Sequence, residues 1–443
     1  MFSAVDGFRG VSGNIYVAIY SKTSTPIGGL DLFMKNDGNI YIGGSLSNVP
    51  IIYTDFTGYI KNEVEILGGD ANNYPTLARS IEADSGGNVF IAGQATGNTG
   101  NGITNNDAFV MKLDNNFQTL WHNVIYAPNV SNGDSYWSGA IDSTGNFYAG
   151  GLVNDPAGPS AAGIAVLGKY DTNGNIIFAK QFANTGQLIQ IEVDGSDNYY
   201  TFGFRGYTSN VDGVTLQKFY SNGTQIWGKE FTHGNVDVVR DTSYITVDSG
   251  GNSILAINVL ESVPPFTYET TLTKLYANGV EAWTKGPRRT GNTASVVAPG
   301  PLATDGSNVY FIADLPVSDA GNMIIVKTDN TGNIVWERTL TTIGNTNYPT
   351  ADSMTWANGY IGIVGTTANS TYGNISIVRL PDDGSGLGTH GRFDYVVSNS
   401  VTMSNTSITL SSLSDDSSNY TFTTTTSNYT SNISNFGSNI TYF

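Results

Sequence analysis

The stretch DSGGNVFIAG, Asp84 to Gly93, reads as a tight turn that runs straight into a buried β-strand. Its relatives are DSTGNFYAGG from Asp142, DSGGNSILAI from Asp248 and DGSNVYFIAD from Asp305. In each, an acidic residue caps the turn through its side chain. Glycine supplies the positive φ, and an apolar or aromatic run resumes the strand. The asparagine of this motif falls at Asn39, Asn88, Asn146, Asn198, Asn252 and Asn308, in steps of 49 to 58 residues, with a weaker copy in WANGYIGIVG from Trp356. Self-similarity at such a period is the signature of a repeat architecture.

A second motif follows each copy of the first. It runs Lys, an apolar residue, Asp or a small residue, turn residues that often include Gly, then an aromatic. Copies are KLDNNFQTLW from Lys112, KYDTNGNIIF from Lys169, KFYSNGTQIW from Lys218, KLYANGVEAW from Lys274 and KTDNTGNIVW from Lys327. Degenerate copies are YTDFTGYIKN from Tyr53 and RLPDDGSGLG from Arg379. Each motif is a strand–turn–strand, so one repeat makes four antiparallel strands. One such sheet cannot bury both faces. Sheets set around an axis cover one another and lose most of their exposed edges. The sequence therefore predicts an all-β fold: a seven-bladed β-propeller of four-stranded blades over residues 29–398. Residues 1–28 form an N-terminal segment, in which GNIYVAIY (Gly13 to Tyr20) is expected to add a ring-closing strand; an eighth, incomplete blade is the alternative. Residues 399–443 form a β-type tail for packing or assembly.

Composition points the same way: 53 glycines, 12% aromatic and only 13% charged residues suit an all-β chain with many turns. Without cysteine there is no disulfide and no thiolate chemistry. His122, His233 and His390 are far apart in sequence, and no metal site is predicted. The net charge of −17 repels phosphate backbones, so no nucleic-acid partner is expected. No run of about 18 apolar residues predicts a transmembrane helix, hence no membrane insertion. The opening MFSAVDGFRG lacks the basic and apolar regions of a secretory signal. No nucleophile elbow, HExxH helix, phosphate loop or dinucleotide fingerprint occurs, so the reading is non-enzymatic and without a cofactor. Carboxylate pairs that a ring brings together are the enzymatic alternative.

The turn acids Asp84, Asp142, Asp194, Asp248 and Asp305 occupy equivalent positions and are expected to satisfy their own turn backbone rather than a metal. Trp121, Trp227, Trp283 and Trp336 are equivalent positions of the outermost strand, expected to pack blade on blade. The opposite face carries the variable loops, where binding usually sits. There the ligand-binding candidates are Asn73, Tyr74, Asp134, Tyr136, Trp137, Asn347 and Tyr348. Their aromatic rings suit apolar sugar faces and their Asn and Asp side chains suit hydroxyls; sealing the seams between blades is the alternative role. Arg288 and Arg289 suit contact with an acidic glycan, or a solvated loop.

Beyond residue 398, Ser, Thr and Asn dominate, yet Val401, Ile408, Phe422, Tyr429, Phe436 and Phe443 follow a seven-residue spacing that Asp415 interrupts. Poor helix formers argue against a coiled coil, and an odd step flips faces along a single strand. The expectation is short β units that each set one anchor on a common surface, either the propeller's rim or another subunit. A disordered polar tail is the alternative.

The alternation of the two hairpin motifs resembles the bacterial seven-bladed propeller repeats called SBBP repeats, a resemblance that implies the fold and no function. RLPDDGSGLGTHGRFDY and the Ser/Thr-rich repeat after it, with LSSLSDDSS (Leu410 to Ser418) as the close match, resemble the C-terminal ends of propeller-bearing structural proteins of marine tailed phages. That resemblance implies a virion fibre or appendage whose partners are other virion or surface proteins and a host surface glycan, with homo-oligomer formation through the tail. The other readings are a secreted bacterial adhesin or matrix protein, and an extracellular polysaccharide hydrolase or lyase.

Overall fold

The two repeated hairpins set the architecture. In the computed structural model, the described residues are 2–4, 8–9, 15–22, 28–45, 49–55, 60–66, 73–97, 105–126, 133–153, 163–205, 213–232, 237–238, 243–260, 268–289, 298–314, 322–342, 351–367, 374–390, 393–406, 408–419, 423–425 and 434–435. Among them every regular element is a strand. Blade one is built from Gly28–Met34, Ile40–Ser45, Val49–Thr54 and Ile60–Ile66, and blade two from Asn73–Ala83, Val89–Gly97, Asn105–Leu113 and Thr119–Tyr126. Blade three is Ser135–Ile141, Phe147–Val153, Ile164–Tyr170 and Ile176–Phe182; blade four is Gln187–Val193, Tyr199–Arg205, Gly213–Phe219 and Gln225–Thr232. Blade five is Tyr244–Val247, Ser253–Leu260, Tyr268–Leu275 and Glu281–Arg289; blade six is Ala298–Thr304, Val309–Asp314, Asn322–Thr328 and Ile334–Thr342. Blade seven takes three strands from late in the chain, Ser353–Ala357, Tyr360–Thr367 and Asn374–Pro381. Its fourth is the N-terminal Tyr16–Lys22, which pairs with Asn374–Pro381 in the register Val17↔Val378. The innermost strands touch one another in ring order and close with blade seven against blade one, giving a seven-bladed propeller.

Each sheet hides both faces against its neighbours. Phe90, Ala92 and Val110 of blade two meet Phe147, Ala149 and Tyr170 of blade three in one apolar seam, and Phe202 and Leu216 of blade four meet Ile245 and Leu255 of blade five in another. Burying a side chain of this size contributes about 1.5–3 kcal/mol, so the seams dominate the fold's stability. The ring-closing seam sets Leu32, Ile42 and Ile52 of blade one against Val364, Ile375 and Ile377 of blade seven.

The motif residues hold turns and blades in register. In the first motif the acid binds its own asparagine twice: Asp84 accepts from the Asn88 amide at 2.9 Å and from its Nδ2 at 2.7 Å, with the same pair of bonds at Asp142–Asn146, Asp248–Asn252 and Asp305–Asn308. In the second, lysine and tryptophan reach across a seam. Trp121 Nε1 donates to Thr172 O at 3.0 Å, Trp227 Nε1 to Ala277 O at 2.9 Å, Trp283 Nε1 to Asn330 O at 2.8 Å and Trp336 Nε1 to Asp382 O at 3.0 Å, each in the following blade's outer turn. Lys169 Nζ lies 3.1 Å from Asp142 Oδ2 and donates to Ser221 O of the next blade at 3.1 Å. The motif glycine is required twice over: Gly279 has φ +77°, and a Cβ there would lie 2.9 Å from the Trp227 ring.

The tail circles the propeller in reverse. Phe393–Val397, in a hairpin with Gly388–His390, pairs with the outer strand of blade six. Val401–Asn405 then pairs with blade five, Thr409–Ser412 with blade four, Ser417–Asn419 with blade three, Thr423–Thr425 with blade two and Ser434–Asn435 with blade one. Blade seven receives Phe2–Ala4 against Tyr16–Lys22. Every blade thus gains a fifth antiparallel strand over an otherwise open edge, the feature most prone to pairing with other chains. The seven-residue spacing is one strand plus one crossing. Val401, 4% exposed, plugs the seam between blades five and six, and Ile408, 9% exposed, the seam between four and five. At the next crossing, where Asp415 breaks the series, a polar turn takes over: Asp416 accepts from Gln217 Nε2 at 2.9 Å and from the Asn184 amide at 2.7 Å. Phe422, Tyr429, Phe436 and Phe443 lie outside the described residues. Buried Glu337 fixes the first crossing, accepting from Ser398 Oγ at 2.5 Å, the Ser400 amide at 2.7 Å and the Val401 amide at 3.1 Å.

Candidate functional site

The innermost strands surround an axial cavity of about 570 Å³. The innermost strands of blades one to four each carry a bulge: between Gly29 and Asp31, Ala78 and Ser80, Tyr136 and Ser138, and Leu188 and Gln190. A bulge breaks the ladder and re-aims the side chains around it. The residue that follows it joins the next blade. Asp31 Oδ2 accepts from the Ile81 amide at 3.0 Å, Ser80 Oγ from the Gly139 amide at 3.0 Å, Ser138 Oγ from the Ile191 amide at 2.9 Å and Gln190 Oε1 from the Ile245 amide at 3.0 Å. Ser353 Oγ of blade seven donates to Asp31 Oδ1 at 2.7 Å, which carries the series across the closure.

The bulged residues Arg79 and Trp137 line the cavity, with the Arg79 guanidinium 3.7 Å from the indole centroid. Stacked cations of this kind contribute about 0.5–2 kcal/mol and hold the ring in one orientation. Strands of this set enter the ring from the loop face. Trp137, third residue of Ser135–Ile141, therefore lies toward that face, whereas Glu192, sixth of Gln187–Val193, lies toward the turn face.

Four carboxylates share the space: Asp31, Glu82, Glu192 and Asp352. All are half-buried, open to the cavity but walled by protein. Burial pushes Asp31 up to about 6 against the hydrogen bonds from Ser353, Ile81 and Leu32. Burial, opposed by Gln190 and reinforced by the Asp31 charge, takes Glu192 to about 8. Glu82 lies well above the ordinary range through burial and the charges of Asp31 and Glu192. Asp352 rises to about 6 through burial, opposed by Thr366. The turn acids Asp142 and Asp194 behave oppositely. Burial alone would raise Asp142 and Asp194, but hydrogen bonds from their turns and from Lys169 and Lys218 outweigh it, and both lie below the usual carboxylate range.

Of the residues singled out by sequence, the structure brings Trp137 to the cavity. Tyr136, its neighbour in the strand, is fully buried, with its hydroxyl 2.9 Å from that of Tyr170, so it offers no face to a ligand. Asp134 is also fully buried; its amide donates to Asn106 O at 2.6 Å. Asn73 and Tyr74 open the inner strand of blade two, opposite Gly97 and Thr96, and their side chains fall outside the described residues. Asn347 and Tyr348 lie outside them altogether. Arg288 and Arg289 close the outer strand of blade five, opposite Thr402 and Val401 of the tail, rather than standing in a loop. Among the described residues no group of three or more His, Cys, Asp or Glu is arranged to hold a metal. Sequence reading passed over Asp31, Arg79, Glu82, Gln190, Glu192 and Asp352. One signal was present: Glu82 and Glu192 each stand two residues before a turn acid, Asp84 and Asp194.

No family model matches the chain. No curated protein matches it either. Solved structures similar to it include a protein of unknown function from Bacteroides caccae, at 15% identity over 71% of this chain and 93% of that one, TM-score 0.36. A eukaryotic initiation factor aligns at 10% identity over 83% and 80%, TM-score 0.37. Extracellular domains 1–2 of Drosophila Semaphorin 1a align at 7% identity over 86% and 88%, TM-score 0.45.

Proposed function

We propose that the protein is a non-enzymatic component of a virion or cell surface, using its propeller as a rigid platform to contact a host glycan or a neighbouring protein. The observation that carries this reading is the axial cavity. An indole pinned by Arg79 shares the cavity with Gln190 and four carboxyls, a combination that suits an apolar sugar face and its hydroxyls. The covered outer edges support it too, because a displayed protein must resist edge-to-edge pairing. On a glycan array, Trp137→Ala should lose binding at least tenfold with unchanged melting. Unchanged binding would dismiss the cavity as the contact site. Absence of the chain from purified particles, by mass spectrometry, would dismiss the virion and leave a surface adhesin.

One observation favours a second reading, a polysaccharide hydrolase. Asp31, Glu82 and Glu192 share one cavity; the Asp31 charge helps to raise both glutamates, and the Glu192 charge helps to raise Glu82. Two carboxyls of unlike pKa are what acid–base glycoside cleavage needs. Release of reducing ends by the wild type, abolished in Glu192→Gln, would favour the enzyme over the platform.

A further inference from the structure

We propose that the axial cavity selects an oligosaccharide bearing free amino groups, with an ammonium taken between Glu82 and Glu192 and a sugar ring held at Trp137. This deepens the glycan reading above and rests on it. Glu82 and Glu192 each stand two residues before their turn acid, so they share one level of the cavity, toward the turn face. They come from blades two and four, on either side of blade three, whose residue at that level is Ala140. Blade three thus offers only a methyl group between them. Among the described residues no hydrogen bond bears on Glu82, and Glu192 engages one oxygen, Oε1, with Gln190 Nε2 at 2.9 Å. The one cation among the residues lining the cavity is Arg79, and its guanidinium is stacked on Trp137. Four carboxyls against a single stacked guanidinium make a lining that an ammonium complements and an acidic sugar does not.

A second level lies three residues earlier in each strand, up to about 10 Å nearer the loop face. It holds Arg79 and Trp137, and in blade five it holds Ser243. Tyr244 pairs with Ala256 as Ser80 pairs with Ala92 and Ser138 with Gly150, so Ser243 occupies the register of Arg79 and Trp137. Ser243 lines the same cavity, is 5% exposed, and its hydroxyl has no hydrogen-bond partner. A buried hydroxyl without a partner is disfavoured until a ligand group completes it, and a sugar hydroxyl at the level of the indole does so. An aminated oligosaccharide supplies each part: an apolar ring face for Trp137, a hydroxyl for Ser243 and, farther in, an ammonium for the two glutamates.

The test is calorimetric titration of the full-length chain with a short glucosamine oligosaccharide and with its fully N-acetylated counterpart, in one neutral buffer. The expected result is at least tenfold tighter binding of the free-amine form. Glu82→Gln and Glu192→Gln should each cut that preference to under threefold, and Ser243→Ala should weaken both forms severalfold. If a variant fails to fold, the wild-type ratio decides. Equal affinity for the two forms would overturn the inference, assign the glutamates to protons and leave glycan contact in place. Binding of other glycans on the array but of neither form would do the same to the inference, as would a preference undiminished in both glutamine variants. Binding of no glycan at all would remove the inference together with the reading beneath it.

Discussion

Replacing Glu337 by Gln isolates the attachment of the tail. The Glu337 carboxylate accepts three hydrogen bonds, from Ser398 Oγ, the Ser400 amide and the Val401 amide. The single amide oxygen of glutamine cannot serve both of its former acceptor directions, and its NH₂ would face a main-chain N–H. At least one buried donor is orphaned, at about 1–3 kcal/mol, and the charge assistance of the remaining bonds is lost. With about 1.4 kcal/mol per tenfold, a change of 1.5–3 kcal/mol raises local opening roughly 10- to 150-fold. The assay is amide hydrogen exchange resolved by segment. Residues 401–405, paired with the outer strand of blade five, should exchange faster by that factor, while inner strands such as Phe147–Val153 keep their rate. Ser398→Ala, which removes only a hydroxyl, should give a smaller change. Unaltered exchange at 401–405, or equal acceleration in all blades, would refute the view that Glu337 pins the tail to the rim.

Gly279→Ala should destabilise more than Gly306→Ala in thermal melts. Both impose about 1–2 kcal/mol of left-handed strain, but only at Gly279 does the new Cβ strike the neighbouring blade's indole, since Gly306 has open space. Equal losses would remove the tryptophan clamp from the explanation. Trp227→Phe should cost about 0.5–1.5 kcal/mol by chemical denaturation, because the Ala277 carbonyl loses its shorter bond and keeps the one from Lys218 Nζ at 3.4 Å; no loss would make the indole bond incidental. Stability should fall as pH rises between about 5 and 8. The cavity acids have folded pKa values raised above the unfolded ones, so their contribution is complete at low pH and lost as pH climbs through about 6 for Asp31 and Asp352 and about 8 for Glu192. Glu192→Gln should flatten the upper part of that slope in melts at successive pH values, and an unchanged slope would exclude Glu192 as its source.

Local chemistry made the hairpins legible. The Asp84–Asn88 turn and its copies need only residues four apart or fewer, and the structure places each acid on its own turn. The tryptophans were readable as equivalent positions, but their acceptors lie about one repeat downstream, beyond any local pattern. The tail's period showed that it made short units. Its reverse course, from blade six back to blade one, depends on pairings separated by up to several hundred residues. Tyr136 and Trp137 show the limit of reading a loop by composition. As consecutive strand residues they take different surroundings, and the bulge after Tyr136 sends one to the core and the other to the cavity. The cavity carboxylates were diluted because Ala140, Thr246 and Ala303 occupy the place that Glu82 and Glu192 hold in other blades.

Because the natural chain has no cysteine, ring closure can be tested by one engineered disulfide. Val17→Cys with Val378→Cys joins partners in the register between the N-terminal strand and the third strand of blade seven. Under mild oxidation, a non-reducing peptide map should show the two peptides linked within a single chain in most molecules. No link, or links found only between chains, would contradict a propeller whose last blade is completed by its own N-terminal strand.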